Sequence, residues 1–182
     1  MIIFFLRVYK KKLATNKHID NMFILMTKIL NYLIIISFLS LNVQANDINV
    51  ELDFLFNQLK NENKETAYKI EQQIWSLWST HPTNKKLTAR LEEGSQFVRN
   101  QQLNKAKEIF TEVISLDKNW AEAWNKRATV LYMLGEFQRS QDDIDKVLAL
   151  EQRHFGALAG QGLVNIQLKN YEKAIRSYEK AQ

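Results

Sequence analysis

The sequence contains no cysteine, so no disulfide holds the fold together and no thiol takes part in catalysis. It has one proline, Pro82, and five glycines, which leaves few residues that favour turns and long loops. With 46% hydrophobic residues in a chain of 182, the sequence is long enough to form one domain with its own core. These features predict an all-α domain that is held by packing alone.

Motifs with known chemistry are also missing. The three histidines, His18, His81 and His154, lie far apart in the sequence, and there is no HExxH, no glycine-rich phosphate loop and no nucleophile elbow. Residues 142–145 carry three aspartates in one predicted helix, whereas hard cations need oxygen ligands that converge from a loop or from several elements. We therefore predict no catalytic residue, no metal site and no cofactor. A hydrolase or transferase built on His154 and carboxylates is the enzymatic alternative.

Excess positive charge is confined to the first 45 residues. This segment holds six basic residues and one acidic residue, Asp20, which accounts for the formal net charge of +5. The rest of the chain is electrically balanced. Because binding to phosphates depends on a basic surface, the charge pattern excludes nucleic acid as a partner of the domain.

Residues 1–45 read as a leader. After Met26 a short basic start precedes an apolar run from Ile29 to Val43, and the small residues Val43 and Ala45 precede Asn46. This is the order of a secretory signal with its cleavage site. The run is about 15 residues long, shorter than the roughly 20 that a membrane-spanning helix needs. We therefore predict an exported, periplasmic protein.

An uncleaved leader is the alternative. It would anchor the chain in a membrane, with the basic cluster at residues 10–12 on the cytoplasmic side. In that case the leader is the only contact with the membrane. Translation is predicted to start at Met22 or Met26.

The remaining sequence repeats with a period of 34 residues. Each unit divides at a polar turn into two segments of about a dozen residues, with apolar positions at helical spacing. A hairpin with one apolar stripe per helix cannot bury that stripe alone, so neighbouring hairpins are predicted to stack. Four columns define the register: Gly94, Ala128 and Gly162; Ala106, Ser140 and Ala174; Phe110, Ile144 and Tyr178; Val113, Val147 and Ala181.

The pattern W…A…L…G…F…S…I…V across residues 121–154 resembles the tetratricopeptide repeat family. The resemblance covers about residues 87–182 and implies an α-α superhelix of stacked helical hairpins, with units 87–120, 121–154 and 155–182, the last incomplete. The proline that usually ends the second helix is absent. Asn119 with Glu122 instead predicts a capping box at the start of the middle unit.

Arg127 departs from the family pattern, because it occupies a position where these repeats usually place a leucine. A charge between two helices must be paired or must reach the edge of the layer. We predict a structural ion pair between Arg127 and Asp143 on the second helix of the same repeat, with Glu108 and Glu112 as the other candidate partners.

The resemblance also implies a partner-binding groove lined by the first helices of the repeats. In the family's register its lining is Ser95 and Arg99, then Asn125, Thr129 and Tyr132, then Leu163 and Ile166. Some family members bind a C-terminal carboxylate with basic and amide side chains at such positions. Here only Arg99 and Asn125 match, so a mixed polar and aromatic contact is predicted instead.

Gly156 and Gly160 lie four residues apart in one first helix, where each glycine costs roughly 1 kcal/mol relative to alanine. On one interpretation a neighbouring helix approaches closely there. On the other, the two glycines form a strip for the backbone of a partner, with Asn125 beside it and His154 at its edge.

Residues 46–86 predict an atypical N-terminal helical hairpin that caps the repeats, with Trp75 and Trp78 as core residues or, alternatively, as a ligand platform. At the other end Tyr171, Ile175 and Tyr178 are predicted to face water or another protein, and self-association through this helix is one possibility.

The resemblance thus implies a non-enzymatic module that holds a peptide or a partner protein on the concave face of its repeats after export. The alternative is an accessory subunit of a membrane-bound assembly, anchored by the uncleaved leader.

Overall fold

A computed structural model of the chain describes residues 25–34, 48–60 and 62–181. The regular elements of these residues are helices, and the all-α class is confirmed. The chain divides into two compact units, Met1–Val50 and Glu51–Gln182. In the first unit residues 25–34 are helical. None of the helices described is both long enough and apolar enough to span a membrane. The predicted cleavage site at Val43 and Ala45 lies outside the described residues.

Three helical hairpins make up the repeats. They follow helix α1 (residues 48–59) and helix α2 (Lys64–Ser79). The hairpins are α3 (Lys85–Arg99) with α4 (Leu103–Leu116), α5 (Ala121–Met133) with α6 (Phe137–Leu150), and α7 (Phe155–Gln167) with α8 (Tyr171–Ala181). Each hairpin packs on the next through α4 against α5 and α6 against α7. The predicted solenoid of stacked hairpins is confirmed.

Within each hairpin, the small residue of the first helix packs against the large residue of the second helix. A side chain at Gly94 would collide with the ring of Phe110, and one at Gly162 would come within 2.5 Å of Tyr178. Ala128 packs in the same buried cluster as Ile144. The 34-residue period therefore places a small residue where the second helix of each hairpin presses a large side chain onto the first.

The turn inside each hairpin has the same backbone conformation. Gln101, Gly135 and Lys169, which are 34 residues apart in sequence, all have positive φ, at 57°, 77° and 61°. In each turn the next N–H bonds back to the first helix, as in Glu136 to the carbonyl of Leu131 at 2.9 Å. These are Schellman ends, in which a left-handed residue stops the helix.

Helices α1 and α2 lie in the predicted N-terminal hairpin, but α2 does not continue the stack as another repeat would. It lies against the starts of α5 and α7. The indole of Trp78 stacks on the ring of His154 at 3.9 Å, and Trp75 meets Phe155 edge-on at 5.2 Å. Trp120 Nε1 donates to the carbonyl of Trp78 at 2.8 Å. Contrary to the predicted end cap, the hairpin covers the junctions between repeats.

Three residues of α8 were predicted to face water or another protein, and two of them are exposed. Tyr171 is 60% and Ile175 59% exposed. Tyr178 is half-buried because its ring covers Gly162, so the prediction that it faces outward is wrong.

Candidate functional site

A small cleft opens between α5 and α7, with α6 as its floor. Its volume is about 60 Å³. We call it the α5–α7 cleft. It brings together six of the residues predicted to bind a partner: Asn125, Thr129, Tyr132, Gly156, Gly160 and Leu163.

The surface around the cleft is largely apolar and uncharged. Leu163 lines the cleft and is 45% exposed, and Ile166, about one turn later on α7, is 42% exposed. The ring of Tyr132 is held 5.5 Å from that of Phe137. Thr129 turns its hydroxyl inward, where it donates to the carbonyl of Asn125 at 3.0 Å. The cleft thus offers an aromatic wall and aliphatic edges to a ligand.

Cations near the predicted groove are already paired. Arg99 donates to Glu92 at 2.6 Å, and Lys126 Nζ lies 3.1 Å from Glu122 Oε1. Asn125, the other residue that the resemblance placed at a carboxylate-binding position, is buried and donates to Glu122 at 2.8 Å. A bound carboxylate would have to compete with these contacts. The mixed polar and aromatic contact stays a prediction.

The two glycines of the predicted strip have different surroundings. A Cβ at Gly156 would lie 2.5 Å from Trp75 Cη2, so this glycine accommodates the indole of α2. A Cβ at Gly160 would meet only Ile144 Cδ1, at an ordinary 3.7 Å. The close-packing interpretation therefore applies to Gly156, whereas Gly160 faces the open cleft.

His154 does not lie at the edge of the cleft, and its assignment to partner binding is wrong. Its side chain is fully buried under Trp78. Nδ1 accepts from the N–H of Ala157 at 3.2 Å and so caps the start of α7. Because Nδ1 accepts this bond, Nε2 carries the proton and donates to Glu122 Oε2 at 3.1 Å.

Glu122 is the centre of a buried polar cluster that the sequence did not reveal. Its side chain is contacted by His154, Lys126 and Asn125. Burial raises the pKa of Glu122, but the bond from His154 and the charge of Lys126 outweigh it and hold the pKa below its ordinary value. The predicted capping box with Asn119 is wrong, because the Glu122 carboxylate turns inward and Asn119 N–H donates to Asp117 instead.

Arg127 and Asp143 form the pair predicted from the sequence. Nε and Nη2 of Arg127 donate to the two carboxylate oxygens of Asp143 at 2.7 and 2.8 Å. The guanidinium also donates to Thr111 of α4 at 3.2 Å and lies 5.0 Å from the ring of Trp124. Arg127 therefore connects both helices of its own repeat to the preceding one.

The three aspartates of α6 have separate partners. Asp142 accepts from Gln138, Asp143 from Arg127 and Asp145 from Gln141. The described residues contain no group of His, Cys, Asp or Glu side chains able to hold a metal. The arrangement is that of helix-surface hydrogen bonds and one structural ion pair.

Comparisons with known proteins agree with this fold. Residues 156–182 match the family described as tetratricopeptide repeat. A TPR repeat-containing protein of Rhizobium etli is 30% identical over 130 residues, which are 71% of this chain and 63% of that protein. A DnaJ homolog subfamily C member 7 homolog of Dictyostelium discoideum is 24% identical over 53% of this chain and 19% of its own length. The chain therefore spans less than two thirds of either relative.

Solved structures show the same architecture. The Arabidopsis OM64 TPR domain has a TM-score of 0.52 and 25% identity, covering 53% of this chain and 80% of that one. The first TPR of Spaghetti, bound to the HSP90 peptide SRMEEVD, has a TM-score of 0.52 and 21% identity, covering 53% of this chain and 77% of its own. These likenesses support the stacked-hairpin fold over about half of the chain.

Proposed function

We propose that this chain, which carries tetratricopeptide repeats, is a non-enzymatic interaction module that binds a segment of a partner protein in the α5–α7 cleft. The observation that carries the proposal is the cleft itself, which joins an aromatic wall at Tyr132, an aliphatic edge at Leu163 and open space over Gly160. A side chain of the partner fills this space, while the partner's backbone runs along the exposed faces of α5 and α7.

The charges around the cleft indicate which kind of segment binds. The peptide held by the first TPR of Spaghetti, SRMEEVD, contains three acidic residues. In this chain Lys126 and Arg127 are paired with the buried carboxylates of Glu122 and Asp143. Drawing either cation onto an acidic terminus would leave a buried carboxylate without its partner, whereas an apolar side chain leaves these pairs intact. The preferred ligand is therefore an apolar or aromatic segment whose C-terminal carboxylate contributes little.

A displayed peptide library selected against the full chain tests this proposal. We expect the selected peptides to share an apolar or aromatic anchor, and their affinities to change little when the terminal carboxylate is amidated. Gly160→Leu fills the cleft and is expected to abolish binding. Its Cβ meets only Ile144, at an ordinary 3.7 Å, and the cleft has room for the rest of the side chain, so we expect little change in the melting temperature. Gln167→Leu, an exposed change on the same helix, is the matched control.

Two results would contradict the proposal. Selected peptides that bind only as free acids would show that the carboxylate is the recognised group. A Gly160→Leu protein that keeps its melting temperature and binds as the wild type does would remove the cleft from the interaction.

We also propose that the module acts after export, in the periplasm. The basic start, the short apolar run and the small residues before Asn46 support this proposal. Fractionation followed by N-terminal sequencing of the mature protein is expected to give a soluble chain that begins at Asn46. An uncleaved chain that resists carbonate extraction would favour the accessory subunit of a membrane-bound assembly instead.

A further inference from the structure

A second and much larger groove lies away from the α5–α7 cleft. Its volume is about 990 Å³, and its walls are α1, the end of α6, α7 and the end of α8. This is at the upper end of the roughly 300–1,000 Å³ that ligand pockets occupy. We call it the α1 groove. None of its lining residues belongs to the α5–α7 cleft.

The floor of the α1 groove is apolar and its wall is fixed by an ion pair. The floor consists of Phe56, Leu59, Leu148, Phe155 and Leu158. Arg153 donates to Asp53 of α1 at 2.5 Å and lies 4.5 Å from the centre of the Phe56 ring. These contacts connect α1 to the turn before α7.

The basic residues of the groove differ in whether they already have an ion-pair partner. Arg153 is occupied, because Nε and Nη2 each donate to Glu151 at 2.9 Å while Nη1 reaches Asp53. Lys60 and Lys180 line the groove and are exposed, and neither has an ion pair within residues 48–60 and 62–181. Two positive charges therefore remain for a ligand, above an apolar floor.

Amide side chains distinguish a peptide from a fatty acyl chain as the ligand. Asn57 and Gln152 line the groove, and their side chains make no hydrogen bond among the described residues. Amides of this kind pair with the N–H and C=O groups of a peptide backbone. An acyl chain would desolvate them without giving a partner, which costs free energy.

We propose that the α1 groove binds an acidic, apolar segment of a partner protein. Its apolar side chains lie on the floor between Phe56 and Phe155, its carboxylates pair with Lys60 and Lys180, and its backbone bonds to Asn57 and Gln152. This site is independent of the α5–α7 cleft, so a failure of one proposal leaves the other standing.

The test uses two synthetic peptides with leucines at alternate positions, as in an extended segment, and either glutamates or lysines at all the positions between them. Fluorescence anisotropy with the full chain is expected to show saturable binding of the acidic peptide only. Lys60→Gln and Lys180→Gln should each weaken it, by up to about fivefold, because an exposed ion pair contributes no more than that. Added salt should also weaken the binding of the acidic peptide to the wild-type protein, because it screens the ion pairs.

The charge reversals Lys60→Glu and Lys180→Glu together are expected to abolish binding, and both side chains are exposed, so the fold should be retained. The matched control, Lys85→Glu with Lys86→Glu at the start of α3, changes the net charge equally and should bind normally. Gly160→Leu should also bind normally.

Several results would overturn the proposal. The acidic peptide could fail to bind, or both peptides could bind equally well. The reversal variant and the control variant could also lose the same amount of affinity for the acidic peptide. Dodecanoate that displaces the labelled peptide at a lower concentration than the unlabelled acidic peptide does would identify an acyl ligand instead. Self-association in sedimentation experiments that disappears in the Lys60→Glu, Lys180→Glu protein would identify a second copy of the chain as the occupant.

Discussion

At the scale of single residues, Gly156 and Gly160 lie one helical turn apart in α7, yet a methyl group would meet different surroundings at each. We expect Gly160→Ala to stabilise the protein by roughly 0.5–1 kcal/mol, because the helix gains the higher propensity of alanine and nothing clashes. Gly156→Ala should destabilise it by about 1–3 kcal/mol, because the methyl group pushes against the indole of Trp75. Urea denaturation of both variants measures the difference. Equal effects would show that Trp75 moves freely.

Arg127 illustrates how a charge can replace an apolar residue in a helical layer. Arg127→Leu alone should cost about 3–5 kcal/mol, because it leaves the buried carboxylate of Asp143 unpaired. The double variant Arg127→Leu, Asp143→Leu should recover most of that loss. A double-mutant cycle in urea gives the coupling energy between the two side chains. Additive losses would mean that the pair makes no net contribution.

Glu122 gives the protein a specific response to acid. Its pKa in the folded protein is lowered, so its contribution is fully present above the ordinary value of 4.5 and is lost as pH falls through the lowered pKa. Glu122→Gln should cost roughly 1.5–3 kcal/mol at neutral pH and should flatten the dependence of stability on pH below about 4.5. Thermal melts between about pH 2 and pH 7 measure both effects. Glu172→Gln, at an exposed carboxylate, is the control, and parallel curves for Glu122→Gln and wild type would contradict the assignment.

At the scale of the helical elements, the three hairpin turns share one backbone geometry but not one residue type. Glycine adopts positive φ without strain, whereas another residue pays about 1 kcal/mol. We expect Gly135→Gln to destabilise the middle hairpin by about 1 kcal/mol. Gln101→Gly and Lys169→Gly should be neutral or stabilising by less than about 1 kcal/mol, because relief of strain is offset by the flexibility of glycine in the unfolded chain. Denaturation midpoints of the three variants check the order, and a stabilising Gly135→Gln would contradict it.

Element positions could be predicted from the sequence because the determining contacts recur at a fixed spacing. Gly94 with Phe110 and Gly162 with Tyr178 repeat the same local fit, and the period is visible without a structure. Arg127 and Asp143 could be paired because both lie in one repeat. The docking of α2 could not be predicted, since it depends on Trp75 and Trp78 meeting residues of a distant repeat outside the register.

At the scale of the whole molecule, the candidate sites were only partly accessible from the sequence. The repeat register places Asn125, Thr129 and Tyr132 on α5, and they do line one cleft. The prediction for His154 was wrong because the register gives a residue's position along a helix but does not show that Trp78 of α2 covers it. The α1 groove had no sequence signal, because its lining comes from α1, α6, α7 and α8 together.

The contact between Arg153 and Asp53 has a consequence for the order of folding. The two residues are 100 positions apart, whereas each repeat is held mainly by its immediate neighbours. Repeats of this kind can form one after another along the chain, but α1 can dock only when the turn before α7 has formed. Closing so long a loop adds an entropic barrier that the local hairpins do not have. Docking of the N-terminal hairpin is therefore the late step, and it converts a linear array of repeats into a structure whose beginning depends on its end.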